Sequence, residues 1–242
     1  QADIQNNGQG APLTPIFHYI LSKKINQNFN IKFPIGFLNI GGIANVTKVI
    51  NDSENFLNSL SAFDIGPGNC LIDEWVRKNS NQKFDKNGEL AKAGRVDQLI
   101  LNQAIDNFKI KSYSDSLDIK NFDVSFARGL SLEDGCATIT DFTAYLISEG
   151  LKYISQKKNI IFLICGGGRK NNNLINRIKN YISDKKNITL EIIDVYNLKG
   201  DYIESQAFAF LAIRSFLNLP ISFSTTTGCK EFTVGGKLVE NF

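Results

Sequence analysis

Apolar positions along the chain recur at two spacings, and the alternation between them divides it into elements. The stretch IGFLNIGGIANVTKVI (35–50) is dense in β-branched residues and is split by Gly-Gly, which predicts two strands around a turn. A third strand is predicted at 60–65, ending on Gly-Pro-Gly. IIFLIC (160–165) and TLEIIDV (189–195) are short apolar runs of the kind that form buried strands. Helical spacing predicts helices in IFHYILSKKI (16–25), at 70–79, in 84–108 after a polar turn, at 134–154, at 171–182 and at 201–218. Residues 1–15 read as a loop, 109–128 as irregular and polar, and the tail from 223 as turns with a short hairpin. Hairpins first, then alternating helix and strand, predict an α/β fold with a mixed sheet flanked by helices. No repeat or linker interrupts the pattern, so residues 1–242 are read as one domain.

Composition removes several classes of function. Of 242 residues, 43% are apolar and 21% charged, the balance of an ordinary globular protein. No apolar window approaches the roughly 18 residues that a membrane span needs, and no export signal is evident. The net charge of +3 comes from scattered lysines, so no nucleic-acid track is expected. Met is absent, which points to a fragment, a processed product or a trimmed chain. Cys70, Cys136, Cys165 and Cys229 form no CxxC pair, and the single His18 completes no zinc set. Buried reduced thiols of a cytoplasmic protein are the expectation. His18 and Trp75 are read as structural.

One device recurs three times. NIGGIAN (39–45), FDIGPGN (63–69) and LICGGGRK (163–170) each place glycines where an apolar strand ends. Phosphate oxygens need several backbone N–H groups aimed at one point, unobstructed by side chains. The third loop also opens a helix, whose N-terminus favours an anion. None of the three is GxGxxG or GxxxxGK[ST], so neither the dinucleotide fingerprint nor the P-loop applies. Gly41, Gly42, Asn45, Gly66, Gly68, Asn69, Gly166, Gly167 and Gly168 are therefore the candidate nucleotide-phosphate residues.

This layout resembles the sugar-kinase, actin and Hsp70 superfamily. GQGAPLTPIFH, FLNIGGIANVT, FDIGPGNCLIDEW, FDKNGELAKAGRV, GLSLEDGCATITDFTA, CGGGRKNNNL, DYIESQAFAFLAIR and the TTG…VGGK tail together resemble one of its families, the anhydro-N-acetylmuramic acid kinases of cell-wall recycling. The resemblance runs from residue 1 to residue 242. It implies an actin-like ATPase (ribonuclease H-like) lobe, mainly the second lobe of such a kinase. It implies cleavage of the 1,6-anhydro bridge of the sugar and phosphorylation of O6, with ATP and Mg²⁺, an amino sugar as substrate, and no nucleic-acid or membrane partner. A homodimer is left open.

By the same resemblance Asp3 is the catalytic base that acts on water, and Glu204 contacts sugar hydroxyls. Asp64 is a candidate for a Mg²⁺-bound water, or simply a turn residue. Asn45 and Asn69 either cap turns or touch ligand, and Arg169 and Lys170 either meet the nucleotide or lie in solvent. The sequence departs from the family in two places. The family's opening strand and MSGTSLDG loop have no counterpart, which leaves the apolar face of the 201–218 helix expected to be exposed. The proline-rich stretch near 112–122 is replaced by SYSDSLDIKNF, with Asp115 before Ser116 and Ile119 where an Arg is expected. An inactive nucleotide-binding remnant is the alternative function, and a methyltransferase-like fold resting on FLICGGG is a more distant one.

Overall fold

The computed structural model describes every residue except 54–55, 109–111, 114–115, 157 and 240–242. Asp115 and part of the expected irregular stretch thus lie outside the described residues.

Five strands form one sheet: β1 (Ile35–Ile40), β2 (Ile43–Val49), β3 (Leu60–Pro67), β4 (Ile160–Cys165) and β5 (Ile188–Ile192). Their order is β3-β2-β1-β4-β5. β2 runs antiparallel to both β1 and β3, while β4 and β5 run parallel to β1. A three-stranded meander continued by two parallel strands makes a mixed sheet flanked by helices, as the sequence predicts. Eight α-helices accompany the sheet among the described residues: α1 (Ala2–Gln5), α2 (Pro15–Phe29), α3 (Cys70–Asn79), α4 (Glu89–Ala93), α5 (Gln98–Asn107), α6 (Leu132–Ser155), α7 (Asn172–Tyr181) and α8 (Ile203–Phe216).

Alternation along β1 sorts its side chains to two cores. Leu38 and Ile40 join Val46, Ile65 and the apolar faces of α3, α6 and α7. Ile35 and Phe37 join Val49, Leu163, Cys165 and the apolar faces of α2 and α8. Ile35, Phe37 and Leu38 are wholly buried, as befits a central strand covered on both faces. Helix ends are marked as the sequence suggests: Ser131, Asp97 and Asn171 accept backbone N–H bonds at the starts of α6, α5 and α7.

Three local expectations are corrected. The loop at 1–15 contains α1, one short turn that carries Asp3. The single helix expected over 84–108 is two, α4 and α5, because Gly94 packs against the Glu133 carbonyl and the chain turns there. Among the described residues the tail makes one isolated bridge, Ser222 to Thr233, and otherwise folds over the N-terminal loop: Lys230 N–H bonds Asn6 O, and Gln9 N–H bonds Thr227 O. The exposed apolar face of α8 matches expectation, with Phe208, Ile213 and Phe216 each more than half exposed. Among the described residues no helix is long and apolar enough to cross a membrane.

Gly150 lets α6 lie close on the sheet: a Cβ built there falls 2.5 Å from Ile65 Cβ. Gly→Ala inside a helix ordinarily gains up to about 1 kcal/mol. Here overpacking outweighs the gain, so Gly150→Ala lowers unfolding free energy by about 1–2 kcal/mol in a urea titration; a rise would contradict this packing.

Candidate active site

The C-terminal end of β1 is where the three glycine loops meet. β1 ends at Asn39-Ile40, and Gly41-Gly42 turns the chain into β2. The Gly-Pro-Gly loop folds onto that turn. Gly68 N–H bonds Gly42 O at 2.9 Å, Asn69 N–H bonds Gly41 O at 2.7 Å, and Cys70 N–H also bonds Gly42 O. A Cβ on Gly68 would lie 2.2 Å from the Gly41 carbonyl oxygen, so only glycine permits this approach. From the other side Gly166, at φ +78°, sits where a Cβ would fall 2.4 Å from Asn39 Oδ1 and 2.7 Å from Ile40 O. Gly168 lies against the Ile40 side chain.

The loops therefore share one end of the sheet but use their amides differently. The N–H groups of Gly68 and Asn69 are engaged by the β1–β2 turn. Those of Gly42 and Gly167 make no hydrogen bond among the described residues. Gly167 faces open space. Gly66 lies in β3, opposite Ala44. Asn69 stands at the start of α3 without a side-chain cap bond, and its Nδ2 reaches Ile40 O at 3.4 Å. Asn45 closes no glycine loop, because it is a β2 residue paired with Asn39 on one side and Asp64 on the other. This polar row, Asn39–Asn45–Asp64, crosses three strands; Asn39 carries no sequence signal beyond its place before Gly-Gly.

Asp64 accepts the Leu117 N–H through Oδ2 at 2.8 Å, and burial pushes its carboxyl above the usual range. No three acid, His or Cys side chains cluster to hold a bare metal ion among the described residues.

Glu204 and the third glycine loop open onto a common cavity of about 110 Å³, bordered also by Asn39 and His18. Arg169 explains how α8 is brought there. It is buried at 6% exposure, where the sequence offered a nucleotide contact or a solvent site. Its Nε bonds Asp194 at 2.9 Å, and its Nη1 bonds Asp201 at 2.9 Å and Gly166 O at 3.1 Å. The glycine loop is thereby tied to the turn that precedes Glu204. Lys170 is exposed and pairs with Asp201 at 2.7 Å.

Asp3 lies elsewhere, on a second cavity of about 600 Å³ between the N-terminal loop and the tail. Thr227 Oγ1 donates to its Oδ1 at 2.6 Å and Gly10 N–H to its Oδ2 at 2.7 Å. Burial pushes its carboxyl up, but these hydrogen bonds prevail and hold it below the usual carboxylate range. The two regions are linked: Ser116 Oγ donates to Gln9 Oε1, and neighbouring Leu117 reaches Asp64.

Residues 1–241 match the family model "Anhydro-N-acetylmuramic acid kinase". The chain belongs to the anhydro-N-acetylmuramic acid kinase family. The anhydro-N-acetylmuramic acid kinase of Pelagibacter ubique is 52% identical over 99% of this chain, and that of Methylorubrum populi 35% over 98%. The chain spans 63% and 60% of the length of these two relatives. Among solved structures, the activator of the 2-hydroxyisocaproyl-CoA dehydratase from Clostridium difficile with bound ADPNP is similar at TM-score 0.42 and 18% identity, over 78% of this chain and 66% of that one.

Arg169→Ala removes its bonds to Asp194, Asp201 and Gly166 O, but the two carboxylates are about half exposed and keep Gly200 N–H and Lys170 as partners, so the loss is about 1–2 kcal/mol, below the 3–5 kcal/mol of a fully buried pair. Urea unfolding measures it; no loss would mean that the network does not hold the turn. In the first turn of α3, burial raises Asp73 to about 6, with Asp85 adding to the rise and Arg77 opposing it. A raised folded pKa favours folding when the group is protonated, and that contribution is lost as pH rises to about 6. Asp73→Asn therefore melts higher than the parent at pH 7–8, by up to about 1 kcal/mol after solvent screening. The difference closes below about pH 4, and a pH-independent difference would contradict the assignment.

Proposed function

We propose that the protein is an ATP-dependent kinase that opens the anhydro ring of anhydro-N-acetylmuramic acid and phosphorylates O6. The observation that carries this reading is one cavity at the end of β1 onto which the glycine loop of β4 and the Glu204 carboxylate both open. Free amides at Gly42 and Gly167 suit phosphate oxygens. Gly68 and Asn69 act as the clamp that holds the β1–β2 turn, with Gly166 and Gly168 permitting the close packing around it, while Gly66 lies in β3 against Leu146 of α6. One helical turn beyond the glycine loop, Asn87, Asn172, Asn173 and Asn176 border an open hollow of about 670 Å³ that suits the nucleoside.

In the reaction a water oxygen bonds to the anomeric carbon while the bond from that carbon to O6 breaks. Asp3 takes the water proton, and O6 receives the γ-phosphoryl group of ATP. The hydrogen bonds from Thr227 and Gly10 keep Asp3 ionised, as a base must be. Glu204 has no hydrogen bond or ion pair among the described residues and is free to accept from sugar hydroxyls. Mg²⁺ supplies charge neutralisation when it enters with ATP. Asp64 suits a water of its shell, because only one of its oxygens is engaged. We read residues 1–242 as one lobe of the enzyme and place it in the cytoplasm, which accords with four unbridged cysteines.

The test joins this chain to the part of the Pelagibacter ubique relative that it does not match and supplies anhydro-N-acetylmuramic acid, ATP and Mg²⁺. The 6-phosphate and ADP form in equal amounts. Asp3→Asn lowers turnover by about 10²–10⁴-fold, the usual worth of a general base. ATP hydrolysis without sugar phosphate, or a fully active Asp3→Asn, would contradict the reading.

A further inference from the structure

His18 projects from α2 and is 2% exposed. Its ring stacks on Phe37 with centroids 4.7 Å apart, and Nδ1 lies 2.8 Å from Thr47 Oγ1. The other ring nitrogen, Nε2, has no partner among the described residues, and the ring borders the cavity that Glu204 shares with Asn39 and Gly167. That nitrogen is thus left for whatever occupies the cavity.

The hydrogen-bond network places its proton. Thr47 is buried and has no other partner among the described residues. Were Nδ1 to donate to Thr47, the hydroxyl hydrogen would be left unpaired. With Thr47 donating to Nδ1, nothing in the pair is wasted, and the ring hydrogen falls on Nε2. Burial pushes the imidazole down to about 3, which keeps it uncharged at ordinary pH. The cavity thus carries an N–H donor from His18 and a free carboxylate acceptor from Glu204. A hydroxyl satisfies both, by accepting from one and donating to the other. A phosphate is repelled by the carboxylate.

We propose that His18 is a substrate-contacting residue, whose Nε2–H donates to a hydroxyl oxygen of the amino sugar that Glu204 also holds. This rests on the reading that the Glu204 cavity takes the sugar.

Two substitutions separate the ring nitrogens. The amide of Gln reaches the Nε2 position, whereas the shorter Asn reaches only that of Nδ1. In the joined protein described above, His18→Gln keeps the KM for anhydro-N-acetylmuramic acid near the parent value. His18→Asn raises it by about five- to tenfold, the worth of one neutral hydrogen bond. Both leave the KM for ATP unchanged. The reverse order, with Asn like the parent and Gln impaired, makes the Thr47 bond the essential one and overturns the proposal. Glu204→Gln is the control. If it raises the sugar KM while neither His18 variant does, the cavity is the sugar's but His18 does not touch it. If all three alter the KM for ATP instead, both readings fall.

Discussion

The close approach of two loops to the end of β1 is the constraint on which the site depends. Ile40 and Gly41 expose carbonyls there, and Gly68 and Gly166 come within distances that any side chain would forbid. The hydrogen bonds from Gly68, Asn69 and Cys70 fix the β1–β2 turn, and the parallel pairing of β4 brings its glycine loop alongside. A site made of backbone is rigid because the sheet beneath it is rigid. β1 is buried on both faces, so its end has little freedom to move.

From that fixed end, two polar devices extend the site outward. The Arg169 network carries order from the glycine loop to the turn before α8 and so sets Glu204 over the cavity. The Asn39–Asn45–Asp64 row carries it across three strands to the segment at Ser116-Leu117, and from there to the N-terminal loop that bears Asp3. The chain's two ends also close on each other, since Thr227 in the tail bonds Asp3 across 224 positions. The chain spans 63% of its Pelagibacter ubique relative, and both Asp3 and Glu204 lie within it.

Much of the fold was legible in the sequence. All five strands and the long helices announced themselves, because a buried β-branched run or a long amphipathic period has few alternatives. Glycines at three strand ends were readable as a shared device, since glycine in such places signals close backbone approach. What each loop does with its amides was not readable. Gly68 and Gly167 look alike in sequence, yet one N–H is engaged and the other is free. Asn39 was missed because nothing local separates a strand-end Asn from a turn residue. Arg169 was misread because its partners, Asp194 and Asp201, lie 25 and 32 positions away. His18 was read as structural, and its burial fits that; only the third dimension places its ring on the Glu204 cavity.

The central claim is that amides from separate glycine loops serve one anion at the end of β1. Titration of the ¹⁵N-labelled protein with Mg²⁺ and a non-hydrolysable ATP analogue tests it most directly. The account predicts that the amide signals of Gly42, Gly167 and their neighbours shift together and saturate at a single dissociation constant, with Gly68 moving less because its N–H is already bonded. Shifts confined to one loop, or loops saturating at different concentrations, would contradict it.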